Sequence, residues 1–302
     1  MTEITNQQVI IRYLERYSHS KISQSTRKYA LEYFFKSTYF GFSRHIFTIT
    51  KRDIIDYFDY LNHLETIALQ TKQNKWMVFI GFVNFINLYY DNFSINIPGH
   101  CINWSPVHKK PNSNKDVILS IEELKRILDF HFQYSYHYYV ILRLLAETGM
   151  RIGEFLSINH DSIDLNKRLV ETEGKTGRKI YYFSEDLVKH LKLYLKDRSL
   201  KGAKTKALFI SNQNRRISGR IINRQLRECT QKIDIQKWIT CHTFRKTLNT
   251  LRKKMGCPKE DRKILLCHKS RDVNFQCYVI YNYDDFIQLF DRWNPFKSVF
   301  EN

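Results

Sequence analysis

Arg151, Lys175, His242, Arg245, His268 and Tyr278, all in the second half of the 302-residue sequence, are of types that together could act on a phosphodiester. A phosphodiester is anionic and repels nucleophiles, and its transition state places more charge on the non-bridging oxygens. Preorganised cations and hydrogen-bond donors at those oxygens are the usual remedy, and losing one such donor commonly costs about 10²–10³ in rate. Arginine suits this role because its planar fork donates two parallel hydrogen bonds and keeps its proton, which points to Arg151 and Arg245. Histidines donate to the same oxygens or move protons. A lysine whose pKa is lowered by neighbouring cations protonates a leaving oxygen, and Lys175 fits if Arg151 and Arg245 lie near it. Tyr278 is able to form a covalent ester once its phenol is activated. Taken singly these residues say little. Arg151 reads as a solvated helix arginine, Lys175 as a hairpin tip, His268 as a partly buried histidine, and Tyr278 is one of 19 tyrosines.

The periodicity shows what must position them. His242 and Arg245 are three apart and share a helix face. Phe244, Leu248, Leu251 and Met255 repeat as a buried stripe, which leaves the polar pair off the core. Ser120 and Glu123 form a capping box that opens a helix, and residues 120–285 read as a mainly helical catalytic domain with a small β-sheet around 163–183. Val170 to Phe183 alternates as a hairpin turning at Lys175–Gly177. After Ser218 as a cap, Arg220, Arg224 and Arg227 fall on one helical face, with Arg215 and Arg216 just before them. Residues 1–105 read as a helical bundle with amphipathic stretches near 7–17, 23–36, 51–63 and 70–92. Ile10, Tyr13, Leu14 and Tyr17 stripe the first, and Thr50 caps the third. The fourth, with Trp76, Phe79, Phe82, Val83 and Phe85, is predicted to be central. Residues 106–119, with Pro106, Pro111 and the basic Lys109 and Lys110, have linker chemistry, and such a linker is suited to run along phosphates. Phe286, Leu289, Phe290 and Trp293 make one apolar stripe in the C-terminal segment 286–302, open to packing within the chain or on a neighbouring protomer.

In order and spacing, the fragments Ala146-Glu147-Thr148-Gly149-Met150-Arg151-Ile152-Gly153-Glu154, Gly174-Lys175-Thr176-Gly177, His242-Thr243-Phe244-Arg245 and Leu266-Cys267-His268 resemble the tyrosine recombinase (phage integrase) family. Two departures are visible. Cys267 stands where the family usually has glycine, and Tyr278 lies ten residues after His268, where nine is common and Cys277 sits. Tyr281 and Tyr283 follow closely. On a continuous helix Tyr281 shares the face of Tyr278, and Tyr283 points about 140° away. The resemblance implies a mainly α fold with a small β-sheet, made of a DNA-clasping core-binding domain and a catalytic domain. It implies that Tyr278 attacks phosphorus to leave a 3′-phosphotyrosine, with Arg151, Lys175, His242, Arg245 and His268 around it and without metal, nucleotide or other cofactor. It implies site-specific recombination of double-stranded DNA, in integration or excision, by a homotetramer on paired sites. The C-terminal segment would then dock on a neighbour. A type IB topoisomerase, or a DNA-binding regulator with a decayed pocket, are the alternatives; the two-part layout and the complete set of six favour the recombinase.

Composition agrees. A net charge of +19 calls for a polyanionic partner, for which nucleic acid is the usual explanation. Arg216, Arg220, Arg224, Arg227, Lys109 and Lys110 are the expected DNA contacts. Hydrophobic content of 43% argues against disorder. No apolar run reaches membrane-spanning length and the first residues lack a signal-peptide core, so a cytoplasmic, nucleoid-associated protein without a membrane partner is expected. The six cysteines form no Cys-x-x-Cys pair, and the spacings of Cys241-His242 and Cys267-His268 match no zinc finger. Free thiols in a reducing compartment are the default.

Overall fold

The computed structural model describes residues 4–18, 20–36, 44–91, 93–95, 117–174, 177–268 and 282–300. Lys109, Lys110, Lys175, Tyr278 and Tyr281 lie outside the described residues. The chain folds as two compact units, Met1–Pro111 and Asn112–Asn302.

Among the described residues of the first unit four α-helices pack around one core: α1 (Asn6–Glu15), α2 (Lys21–Lys36), α3 (Lys51–His63) and α4 (Leu69–Tyr89). Reciprocal capping boxes start two of them, Thr5 with Gln8 at α1 and Thr50 with Asp53 at α3. These satisfy amide donors that a helix N-terminus otherwise leaves open. Arg44 clamps Asp53 at 2.6 Å and so ties the preceding loop to the α3 cap. Along α4, Trp76, Phe79, Phe82, Val83, Phe85 and Ile86 are buried against Phe34, Tyr57 and Leu61, as the sequence predicts for a central helix. In α1 the buried anchors are Val9 and Tyr13 rather than Ile10, which is only partly covered.

The second unit is built on α6 (Tyr136–Thr148), which is buried from Tyr139 through Thr148. Around it lie α5 (Ile121–Tyr134), opened by the Ser120–Glu123 capping box, α7 (Ile152–Ser157), α8 (Glu185–Leu200), α9 (Gly219–Lys232) and α10 (Cys241–Lys254). A short α11 (Lys259–Leu265), α12 (Tyr283–Arg292) and α13 (Lys297–Phe300) follow. A three-stranded antiparallel sheet, β1 (Ile163–Asp164), β2 (Leu169–Gly174) and β3 (Gly177–Tyr182), runs in the order β1-β2-β3. The β2–β3 register pairs Val170 with Tyr181 and closes at Gly174 and Gly177, the two residues flanking Lys175 and Thr176.

Arg143 is fully buried on α6 and holds the unit together. It donates to Glu147 (2.7 Å), to Asp186 of α8 (3.0 Å) and to the Tyr139 hydroxyl (2.8 Å). Glu147 in turn accepts the Ser184 amide at 2.7 Å and its hydroxyl at 3.0 Å, which fixes the α8 N-cap. A buried charge needs such full pairing to persist. The C-terminal stripe packs within its own unit. Phe290 is buried with Leu169, Tyr182 and Leu265, with Phe286, Leu289 and Trp293 against them. Arg168 grips Asp291 at 2.6 Å. The stripe on α10 is shorter than the periodicity predicts: Phe244 and Leu248 are buried, Leu251 partly so, and Met255 is 44% exposed beyond the helix end.

Candidate active site

Helix α6 ends at Gly149, in the left-handed region at φ 58°. A Cβ there would lie 2.8 Å from Leu248 Cδ2 and 3.0 Å from Leu266 Cδ2, so the position needs glycine on both counts. The chain then turns through Met150 to Arg151, the N-cap residue of α7. Its guanidinium, half exposed, lies 3.2 Å from Glu154 Oε1, and its amide donates to Glu154 Oε2 at 3.1 Å. Glu154 is a hub. The buried Lys179 ammonium on β3 pairs with Oε1, and the Tyr181 hydroxyl donates to Oε2 at 2.7 Å. Thr172 Oγ1 on β2 donates to the Glu154 main-chain oxygen at 2.9 Å. Through this one residue the hairpin that carries Lys175 is docked against the helix start that carries Arg151. Burial opposes the charged carboxylate, but the hydrogen bonds from Lys179 and Tyr181 prevail and hold its pKa at about 2.

Arg245 is not the surface-facing partner of His242 that helical spacing predicts. It is 6% exposed, and it donates to Gly149 O at 2.7 Å and to Leu266 O at 3.0 Å. Both acceptors are carbonyls at helix ends, which carry partial negative charge. That stabilises a cation which an apolar core would expel. His242 and His268 remain open to solvent on one side. Partial burial lowers the pKa of each, and the charges of Arg245 and Arg151 act on both in the same direction. Lys246 adds to this at His242, and Lys179 at His268. Arg151, Arg245, His242 and His268 therefore share one electrostatic neighbourhood, in which the imidazoles are biased toward neutral. Cys267, just before His268, adopts φ 48°, and its thiol donates to Ile180 O at 3.1 Å. The cysteine fits where glycine is usual by taking the left-handed backbone that glycine favours.

Lys175, Tyr278 and Tyr281 lie outside the described residues. Tyr283 does not. Asn282 is an extended N-cap, and a helix opens at Tyr283. The Tyr283 hydroxyl donates to Lys167 O at 2.9 Å. On α9, Arg220, Arg224 and Arg227 are exposed while Ile222, Leu226 and Cys229 face the core. Arg227 lies over Trp238 at 4.6 Å. Arg216 differs. Its fork donates to Leu156 O (2.6 Å), Ile158 O (3.0 Å) and Asn159 Oδ1 (2.6 Å) and staples its loop to the end of α7. Among the described residues no His, Cys, Asp or Glu cluster is placed to hold a metal ion, and no helix is long and apolar enough to cross a membrane. Sequence reasoning missed Lys179 and Tyr181 as Glu154 partners. The one signal was their alternate, inward placement along the strand.

The family model of the phage integrase family matches residues 118–283, more than half of the chain. The chain belongs to the phage integrase family. Among curated members, a tyrosine recombinase XerC from Chlamydia pneumoniae is 30% identical over 137 residues, 44% of this chain and 44% of that protein. A XerC from Caldanaerobacter subterraneus is 31% identical over 143 residues, 46% of this chain and 40% of that protein. The matches thus span about half the length of these relatives or less. The fold is that of the family's solved members. The Tn1549 transposon integrase in complex with transposon right end DNA superposes with a TM-score of 0.69 at 15% identity, covering 94% of this chain and 98% of that one. The XerH recombinase bound to difH substrate gives 0.64 at 17%, covering 90% and 79%.

Proposed function

We propose that this chain is a site-specific DNA recombinase that breaks and rejoins strands through a 3′-phosphotyrosine. The observation that carries the reading is the gathering of Arg151, Arg245, His242 and His268 into one cationic neighbourhood, in a member of the phage integrase family. The two guanidiniums would bind the non-bridging oxygens and stabilise the charge that grows on them. The Tyr278 oxygen would form the bond to phosphorus as the bond to O5′ breaks, its phenolic proton passing to solvent or a neutral imidazole. Lys175 would give a proton to the departing O5′, leaving a 5′-hydroxyl. The 5′-hydroxyl of a partner strand would then attack the ester and release the tyrosine. The bond energy is kept in the ester, so no nucleotide is consumed. Of the other neighbours, a lambda integrase tetramer is known bound to a Holliday junction. By analogy this chain would work as a homotetramer on paired duplex sites, through a four-way junction, to integrate or excise DNA in the cytoplasm. Arg220, Arg224 and Arg227 on α9, with Lys109 and Lys110, would hold phosphates.

The test uses a nicked duplex, from which the short 5′-hydroxyl fragment diffuses away and traps the ester. With EDTA present and no nucleotide, the wild-type chain should form a denaturant-resistant adduct that maps to Tyr278. Tyr278→Phe should abolish it while DNA binding stays within about twofold, since only a hydroxyl is lost. An adduct on Tyr281, or one that persists in Tyr278→Phe, would reassign the nucleophile. A strict need for Mg²⁺ would overturn the reading.

A further inference from the structure

Trp238, in the loop between α9 and α10, is a large side chain that fills no core. It is 51% exposed, in a stretch where Asp234, Gln236 and Lys237 are also exposed. The loop beneath it is fixed on several sides. Ile235 and Ile239 are buried. Lys237 donates to Glu123 Oε2 on α5 at 2.6 Å. Asn223 Oδ1 on α9 accepts the Cys241 amide, at the start of α10, at 2.9 Å. The indole is therefore held out from a firm support. It lies under the guanidinium of Arg227, whose Cζ is 4.6 Å from the ring centroid. Among the described residues no other ring stacks on the indole, and Arg227 has no carboxylate partner. Its neighbour Arg224, by contrast, has Glu228 at 3.7 Å.

A guanidinium stacked on an aromatic face keeps its N–H donors in its own plane, clear of the ring. A carboxylate partner would occupy those donors instead. We propose that Trp238 is a positioning residue for DNA binding: it holds the Arg227 fork in one orientation and leaves its donors for a phosphate of the duplex. The inference rests on the reading of α9 as a DNA-holding helix. A free arginine loses rotamer freedom when it grips a phosphate, and a stacked one has lost part of it in advance. That saving corresponds to about two- to tenfold in affinity for one side chain. Trp238 as a prop of the fold is the poorer account. Half of the indole is in solvent, and burial is what makes an apolar side chain stabilising.

The test is a double-substitution cycle on the full chain. A fluorescein-labelled duplex of mixed sequence is the probe, and its anisotropy at constant ionic strength is the readout. Trp238→Ala should weaken binding by about two- to tenfold. Trp238→Phe, which keeps an aromatic face, should restore most of that loss. Arg227→Lys keeps the charge but not the planar fork, and should lose as much as Trp238→Ala. With Arg227→Ala already in place, Trp238→Ala should cost nothing further, because the indole then has nothing to orient. A second loss of equal size in that background would show that Trp238 meets DNA by itself or supports the fold, and would overturn the proposal. Undiminished binding by Trp238→Ala would also overturn it. If Trp238→Ala does not fold, Arg227→Lys decides, since it leaves the indole in place, and undiminished binding by that variant overturns the proposal. A wild-type chain that fails to bind the duplex would overturn the recombinase reading and this proposal with it. Binding by the wild type without coupling between the two residues overturns this proposal alone.

Discussion

Glu154 shows how much one side chain decides. It holds Arg151 from both ends of that residue and receives Lys179 and Tyr181 from the hairpin. Its pKa is held at about 2, below the ordinary 4.5. The unfolded chain therefore takes up that proton first as acid is added. The stability Glu154 supplies is complete above about pH 4.5 and is lost on descent toward pH 2, about 3 kcal/mol in all. His131 opens a second, higher window. It is 1% exposed, neither ring nitrogen has a partner, and burial pushes its pKa to about 4. Here too the unfolded chain protonates first, so stability falls between about pH 6.5 and 4. Urea unfolding as a function of pH checks both. Burial depresses His137 to about 4 as well, so His131→Leu should shrink the upper window without removing it, and Glu154→Gln should flatten the lower one while costing stability at neutral pH by stranding Lys179. The same clamp separates the two lysines of the hairpin. Lys179 is spoken for, so a bridging sulfur at the 5′ position, a leaving group that needs no proton, should largely rescue cleavage by Lys175→Ala. Rescue of Lys179→Ala instead would move the general acid to β3.

Among the elements, the bend from α6 into α7 sets the site. Gly149 supplies the left-handed turn, offers its carbonyl to Arg245, and leaves no room for a methyl group against Leu248 and Leu266. Gly149→Ala should cost about 2–4 kcal/mol, combining left-handed strain with overpacking. It should lower adduct formation with it, because Arg245 and Arg151 both hang from this bend. Thermal unfolding beside the nicked-substrate assay checks this, and a stable, fully active Gly149→Ala would refute it. Most of the elements were legible beforehand. The cap at Thr50, the capping box at Ser120, the α4 aromatics and the hairpin about Lys175 each follow from short-range spacing. Arg245 was not, because an arginine three residues from a histidine reads as surface until the Gly149 and Leu266 carbonyls are known to meet it. Both acceptors are distant in sequence. Met255 failed for the opposite reason: periodicity continues one step past the place where Gly256, at φ 83°, ends the helix. Arg252 sits among core positions of the same helix, and nothing local marks it as buried.

For the whole molecule the governing quantity is the charge of +19. Ion pairs such as Arg143–Glu147, Arg168–Asp291 and Lys179–Glu154 use part of the basic side chains internally and leave their share of the field weak outside. The remaining excess is free to meet phosphate, and binding to duplex DNA should fall steeply with salt as counterions are released. Hydrogen bonding sets Arg216 apart from the α9 arginines. Arg220, Arg224 and Arg227 stand exposed on one helix, whereas the Arg216 fork is filled by Leu156, Ile158 and Asn159. Replacing the three α9 arginines with alanine should reduce the slope of log affinity against log salt by about 2–3, close to one for each phosphate that the protein no longer neutralises. The melting temperature should hardly move, because their side chains carry little of the core. Arg216→Ala should do the reverse, lowering stability by about 1–3 kcal/mol as its acceptors lose a charged donor and leaving the slope nearly unchanged. Affinity measured by fluorescence anisotropy across a salt series, beside thermal unfolding of the same preparations, distinguishes the two. Should Arg216→Ala flatten the slope as much as the α9 triple variant, its hydrogen bonds would have to open on DNA, and the loop before α9 would belong to the binding surface.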